Sequence, residues 1–426
     1  MTAGDDDRTT AHGDATPAHP VDHGDPESPG TRDRTPRHRA VLIAVVSTVV
    51  ALAVFAVALG LGPREADLTP AATDDERTDA TTGVPSATGP AAPSDASGAT
   101  SGPATEAPTT PPRGPDTPPA SGPRFEEWVD EVAGWLDIPR RAMHAYAAAT
   151  VTLSDEQPQC NLSWVTLAGV GRTVSDHGRT GDRAIADDGT VSDPIGTIEV
   201  RDFEGTVVSQ PGAAGPLQLT PRVWREWQAS ATHDTPDIQD LDDAALTAGR
   251  ALCADRRDLS DGDGWLAGVS ALHDEPLFLH RTLATANVYG TVGQDGDEPH
   301  PAVLDAVFFA IDKIGLPYVW GGNGRERGDQ GFDCSGLTTA AYGEAGIDML
   351  RTAHTQYHSI TPVPAGEQPR LGDLVFYGEP ETKIHHVGLY IGNQQMIDAP
   401  TFGQAVQVHN YRRPGDNYAG AGRPTA

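Results

Sequence analysis

Cys334 occupies a position where a thiol could do chemistry. It follows Gly331, Phe332 and Asp333 and precedes Ser335 and Gly336, so a loop is expected to run into a helix over Leu337 to Ala345. A thiol attacks as its thiolate, and a helix N-terminus, with its open N–H groups and positive dipole end, favours negative charge. Such a nucleophile needs an imidazole to pair with the sulfur and later to protonate a leaving amine. His386 is the best candidate, because it opens a strand reading His-Val-Gly-Leu-Tyr-Ile. His385 beside it should point to the opposite face. Asp398 comes twelve residues after His386. If Gly392, Asn393 and Gln394 form a three-residue connection between antiparallel strands, Asp398 pairs with Gly388 and lies diagonal to His386 on one face. A two-residue turn would put it on the wrong face. The side chain missing at Gly388 leaves room for the carboxylate to orient the imidazole, the third role of a triad. The plain alternative is that Cys334 is a small buried hydrophobe, as most free cysteines are. No CxxC pair accompanies it, so no metal and no cofactor are expected.

The elements that must hold these residues begin near Ala302. A helix over 302–314 precedes a Gly-rich loop, a second helix starts near Cys334, and strands are expected at 373–378, 386–391, 395–399 and 404–409, an α+β order. Upstream the pattern is helical throughout. Phe125, Trp128, Val129, Val132, Trp135 and Leu136 recur at helical spacing. Further helices are expected around 139–152, 161–175, 221–230, 242–254 and 264–288, with a long irregular insert over 178–212. Pro221 opens one helix, and the acidic run Asp240 to Asp243 starts another. The run Asp261 to Gly264 invites a calcium reading but lacks a full loop of ligands, and is read as a turn.

The first third of the chain is different. Residues 1–39 are polar and expected to be disordered. Ala40 to Pro63 is a run of 24 residues without a charge, long enough to cross a bilayer as a helix. Arg32, Arg34, Arg37 and Arg39 precede it. The positive-inside bias therefore places the N-terminus in the cytoplasm and the rest outside. A cleavable signal would be shorter and nearer the N-terminus. Residues 63–122, rich in Thr, Pro, Ala, Ser and Gly, read as an extended spacer. The formal charge of −30 excludes a nucleic-acid partner, since a phosphate backbone would be repelled. Three cysteines are an odd number for an extracellular chain: two can pair, and one thiol is left over.

Several motifs, in order, carry a resemblance. Leu316 to Gly322, Phe332 to Gly336, Arg351 with Gln356, Gly372 to Phe376 and His386 to Gly388 resemble the NlpC-type cell-wall cysteine peptidases over roughly residues 300–415. The resemblance implies a papain-like fold and cleavage of peptidoglycan stem peptides, usually between D-glutamate and the diamino acid. It selects His386 over its neighbour. It also implies that Tyr318, Asp333 and Ser335 contact the substrate or the reacting carbonyl. The third catalytic position is often His in that family and is Asp398 here, an adequate orienter.

A second resemblance covers about 123–290. Leu167 to Arg179, Gly215 to Leu219 with Trp224, and Leu241 to Leu246 leading to Cys253 are similar to secreted lytic transglycosylases of actinobacterial type. It implies a lysozyme-like all-α domain and a disulfide between Cys160 and Cys253. In that family one Glu protonates the glycosidic oxygen and then serves as base. Val174 stands at that position and can do neither. The stretch Val269 to His273 also departs from the usual Ser-Tyr-Asn. Asp176 is no substitute, because two helical positions turn a side chain about 200° away; His177 is the other rival.

The expectation is thus a multidomain chain: tail 1–39, transmembrane anchor 40–62, linker 63–122, a helical domain 123–292 without its acid, and a peptidase domain 293–426. Its activity would be a Cys334–His386–Asp398 endopeptidase on the cell membrane, facing the wall. The helical domain would hold glycan strands. The alternatives are a bifunctional enzyme that also cleaves glycan, and a wall-docked assembly or conjugation component.

Overall fold

The structure, a computed structural model, describes residues 107–113, 118–232, 235–292 and 300–425. The expected tail and anchor lie outside the described residues, and no helix among the described ones is long and apolar enough to cross a membrane. The linker is not a free spacer to its end. Pro108, Pro111 and Pro112 are buried, and a Cβ added at Gly262 would meet the Pro108 carbonyl oxygen at 2.0 Å. Prolines of fixed φ lie against a surface at little entropic cost.

The helical region comprises α1 (Pro123–Leu136), α2 (Arg140–Glu156), α3 (Trp164–Ser175), α4 (Pro221–Trp227), α5 (Leu241–Leu252), α6 (Gly262–Leu272) and α7 (Pro276–Thr291). Helices α3 and α7 pack together, as do α2 and α5. At Gly169 a Cβ would come within 2.9 Å of the Thr282 carbonyl oxygen, so glycine is what lets α3 approach α7. Trp164, Trp265, Tyr146 and Tyr289 are fully buried between the helices. The helix expected over 264–288 is two helices. Pro276 has no N–H to donate and disfavours helical backbone at Glu275, so the chain extends there (φ −68°, ψ 131°) before α7 begins. Asp261 is more than a turn residue: its carboxylate accepts the Gly264 N–H and caps α6. Cys160 and Cys253 form a disulfide.

The α+β region follows with α8 (Pro301–Asp312), α9 (Cys334–Glu344) and α10 (Ala353–Ser359), then β1 (Thr361–Pro362), β2 (Leu374–Glu379), β3 (Lys383–Gly392), β4 (Gln395–Asp398), β5 (Gln407–Asn410) and β6 (Tyr418–Arg423). The six strands form one antiparallel sheet in the order β1-β6-β2-β3-β4-β5. Side chains alternate across it. Leu374, Phe376, Val387, Leu389 and Ile397 join the main core under the helices, while Val375, Tyr377, Tyr390 and Met396 form a second cluster on the other face. Helix α7 of the helical region packs on β3 and β5 beside α9 and α10.

The β3–β4 connection departs from the expected three-residue form. Asn393 and Gln394, at φ 47° and 61°, make a two-residue turn, the kind that matches strand twist. A bulge at Ile391 supplies the extra residue, so that Tyr390 pairs with Met396 and Leu389 with Ile397. The register carries Asp398 opposite Gly388 after all. A two-residue turn alone would have sent Asp398 to the wrong face.

The disulfide closes a loop of 93 residues, which on chain-entropy grounds stabilises by about 4.5 kcal/mol. Replacing Cys160 and Cys253 by Ala is expected to lower the denaturant midpoint of the helical region. Unfolding followed by tryptophan fluorescence checks this, and an unchanged midpoint contradicts it.

Candidate active site

Cys334 is the first residue of α9. The preceding Asp333 is extended and caps the helix, its Oδ1 accepting the Gly336 N–H at 2.6 Å. Its Oδ2 accepts from Gly321 N–H at 3.0 Å. Arg351 clamps both oxygens at 2.9 Å and also donates to Asn323 Oδ1, Ser335 Oγ and the Gly322 carbonyl. A bidentate pair of this kind fixes orientation as well as charge. Buried Gln356 donates to the Ser335 and Leu350 carbonyls and accepts from Thr338. Asp333 and Ser335, expected to face substrate, are therefore already engaged in the frame that aims the thiol. Gly336 is required by a close approach, since a Cβ there would lie 2.0 Å from the Gly322 carbonyl oxygen.

Strand β3 brings His386 to the sulfur. Its Nε2 donates to Asp398 Oδ2 at 2.7 Å, and the Cys334 side chain lies near enough to act on the imidazole. With Nε2 taken, Nδ1 is the nitrogen left for the thiol. Burial alone would lower this imidazole's pKa. The Asp398 hydrogen bond and the Asp398 and Cys334 charges outweigh it and push it up to about 10. Tyr377 lies against the ring at 5.7 Å. His385 is exposed on the opposite face. At Gly388 a Cβ would reach Asp398 Cβ at 3.4 Å and Met396 Sδ at 2.4 Å, so the missing side chain does leave the carboxylate its space.

Asp398 is 2 % exposed and has a second partner that sequence reasoning missed. His409 on β5 donates from Nδ1 to Asp398 Oδ1 at 2.7 Å. Burial would raise the carboxylate's pKa; the His409 charge and the hydrogen bonds from both imidazoles hold it well below the usual range. His409 pairs with Met396 across the ladder and so lies diagonal to Asp398 on the same face. The period-2 rule could have found it once the β4–β5 register was known.

Tyr318 lies near Cys334 and Asp333. Burial, then the Cys334 and Asp333 charges, raise its pKa. Phe402 packs on its edge at 5.1 Å and stacks on Trp320, both rings largely exposed. The Tyr318 N–H bond to the Gln404 carbonyl at 2.8 Å ties the two loops together. Phe402 carried no motif signal.

In the helical region Val174 stands at the end of α3 and lines a cavity with Gln218, His273, Glu275 and Phe278. Asp176 turns away into an ion pair with Arg179 at 2.9 Å. His177 is no acid either. It is buried between the Tyr146 and Tyr289 hydroxyls at 3.2 and 3.0 Å, and burial pushes its pKa well down. Glu275, at the start of α7, is the carboxylate facing that cavity, its pKa raised by burial and then by Asp274 and Asp202. No group of three or more His, Cys, Asp or Glu that could hold a metal occurs among the described residues. His354 and His358 on α10 have the i, i+4 spacing of a ligand pair, but they bond the Ile384 N–H and the Pro380 carbonyl.

The NlpC/P60 family model matches residues 315–419, so the C-terminal region is an NlpC/P60 domain, while the helical region has no family assignment. The chain is 36 % identical over 131 residues to a Bacillus cereus gamma-D-glutamyl-L-lysine dipeptidyl-peptidase, covering 30 % of this chain and 38 % of that protein. It is 38 % identical over 114 residues to the peptidoglycan endopeptidase RipA of Mycolicibacterium smegmatis, covering 25 % of this chain and 22 % of that one. The chain thus spans well under two thirds of these relatives. Among solved structures, the NlpC/p60 domain of the peptidoglycan hydrolase SagA is 33 % identical, with 28 % of this chain and 97 % of that one covered at a TM-score of 0.25.

Two outcomes follow for stability. Gly336→Ala should cost the C-terminal region about 2 kcal/mol through overpacking, read as a lower urea midpoint; a wild-type midpoint would mean the Gly322 loop yields freely. The Asp398–His386 pair should also set a pH window. Asp398, depressed, contributes stability above about pH 4 that is lost as pH falls through its folded value. His386, raised, contributes fully below about pH 6.5 and loses that contribution as pH climbs toward its folded value. The stability difference between wild type and Asp398→Asn should therefore be largest between those limits and shrink above them. A difference independent of pH would contradict it.

Proposed function

We propose that this chain is a peptidoglycan endopeptidase that cuts stem peptides between D-glutamate and the diamino acid. Cys334 is its nucleophile, His386 its base and acid, and Asp398 the orienter of the imidazole. One observation carries the reading: a thiol at the first position of a helix, beside an imidazole whose Nε2 is held by a buried carboxylate. The matched family, and relatives whose names specify peptidoglycan and the gamma-D-glutamyl bond, supply the substrate class.

In this mechanism the Cys334 sulfur attacks the scissile carbonyl carbon while His386 is protonated. The backbone N–H groups of Cys334 and Ser335, at the start of α9 where no intrahelical acceptor exists, offer donors to the oxyanion. As the C–N bond breaks, His386 gives its proton to the departing amine and leaves a thioester. His386 then takes a proton from water, whose oxygen attacks the thioester and releases the carboxylate product. Tyr318, with Trp320 and Phe402 beside it, walls the substrate side of the cleft.

The composition before residue 123 supports a membrane-anchored, wall-facing placement. The helical region is proposed to be a lysozyme-like module that lost its acid at Val174 and binds glycan strands. A second reading, a glycan-cleaving partner to the peptidase, is favoured by Glu275 in the cavity beside Val174.

Incubating residues 107–426 with intact peptidoglycan and identifying products by mass spectrometry separates these readings. Stem-peptide fragments should appear and vanish in Cys334→Ala, with no anhydro-sugars in either. Anhydro-sugars that persist in Cys334→Ala and vanish in Glu275→Gln would install the second reading. In Asp398→Asn, kcat/KM should fall on the order of 10²- to 10⁴-fold. Its alkaline limb should move to lower pH, because an imidazolium without its carboxylate gives up its proton earlier. A limb that stays in place would remove Asp398 from the mechanism.

A further inference from the structure

Asp398 is held from both sides, and only one side belongs to the Cys334–His386 pair. The other is His409, carried by β5, the edge strand of the sheet. An edge strand of four residues has one ladder to position it, and a hydrogen-bonding histidine on such a strand needs a further constraint if its Nδ1 is to stay 2.7 Å from the carboxylate. The helical region supplies that constraint. His280, on α7 and 6 % exposed, accepts the Val408 N–H at its Nδ1 at 3.3 Å, one residue before His409. Accepting there requires the neutral ring. Burial lowers the His280 pKa to about 4, with the His409 charge lowering it further and Asp398 opposing. Its Nε2 has no hydrogen-bond partner among the described residues. The Val408 bond is therefore the polar contact seen for a buried imidazole, a costly group to bury without use. About two helical turns further along α7, buried Asn287 donates to the Gln395 side chain and accepts from Asn393, fixing the start of β4 and its turn. Thus α7 grips both strands behind the imidazole: β4 with Asp398, which bonds His386, and β5 with His409, which bonds Asp398.

We propose that His409 is a fourth, positioning member of the constellation, and that α7 sets it through the His280–Val408 hydrogen bond, which makes the helical region a working part of the peptidase site. This rests on the endopeptidase reading above. Its physical content is that Asp398 stays ionised and correctly turned because both oxygens are met, one by His386 and one by His409. The titratable groups facing Asp398 are His386 from β3, His409 from β5, Tyr377 from β2 and His280 from α7.

The test uses the full chain and two readouts: hydrolysis of a stem peptide, and the pH dependence of alkylation of Cys334 by iodoacetamide. The second needs no substrate, because the other two cysteines are paired. It therefore separates failure of this proposal from failure of the endopeptidase reading, which would show as normal thiol behaviour with no peptide cleavage in wild type. In His409→Ala, kcat per alkylatable thiol should fall roughly tenfold or more, as for a misplaced catalytic group, with KM little changed. The acid limbs of both profiles should move to higher pH, since Asp398 then protonates earlier. His409→Asn, whose amide nitrogen can occupy the place of Nδ1, should restore most of the rate. His280→Leu should shift the same limbs by less, and add nothing in the His409→Ala background, the signature of two residues acting through one element. If His409→Ala loses only alkylatable thiol, with rate per thiol and both limbs unchanged, His409 is merely structural and the proposal falls. Additive effects of His280→Leu would sever the helical region from the site.

Discussion

A carboxylate that is 2 % exposed keeps its charge only if donors meet its oxygens, because the low-dielectric interior penalises an uncompensated ion far more than water does. Asp398 meets this demand with two imidazole N–H groups, and much of the C-terminal architecture serves to deliver them. Strand β4 must lie between β3 and β5 so that the carboxylate has a histidine on each flank. Gly388 must lack a side chain so that the carboxylate can sit opposite it. The bulge at Ile391 must add one residue, or the tight turn would flip Asp398 to the far face. The thiol pairing is downstream of this arrangement: the raised basicity of His386 exists because Asp398 remains charged beside it.

A second ionic arrangement aims the sulfur. Asp333 caps the helix that begins at Cys334, and Arg351, reaching from the loop before α10, locks Asp333 and bonds Asn323 and Gly322 of the Gly-rich loop. The two arrangements are built from different parts of the chain and meet at the Cys334–His386 contact. The sheet holds the base and the loops hold the nucleophile. Such division lets each be rigid through its own hydrogen bonds, which is what pre-organisation of a covalent catalyst requires.

The legibility of this site in the sequence followed the locality of each signal. Cys334 at a loop-to-helix junction is a local pattern, and so is the alternation that separates His386 from His385. Asp398 was legible through register, although by the wrong route: a three-residue connection was expected where a two-residue turn and a bulge give the same pairing. His409 and His280 were not legible, because each acts through a pairing that no spacing encodes, one across the β4–β5 ladder and one between regions 128 residues apart. Strand β6 was missed for another reason. Tyr418 to Arg423 is Gly- and Ala-rich and shows no alternation, and it is a strand because the unpaired edge of β2 accepts it. The break at Pro276 was in plain view, and the apolar period running across it masked the stop. The end of the linker was misread by composition, since prolines that cannot build a core can still line one.

The pairing of Cys160 with Cys253 has a consequence for how the chain comes to be folded. Both partners precede Cys334, so in N-to-C emergence under oxidising conditions the pair can close before the third thiol appears. Once closed, the bond is sealed in a core where both cysteines are 1 % exposed, out of reach of exchange. A chain that met oxidant all at once would offer three possible pairings, two of which consume the nucleophile. In such an oxidising setting, the order of the cysteines along the chain, closing pair first and third thiol last, lets the pair form before Cys334 is available to compete.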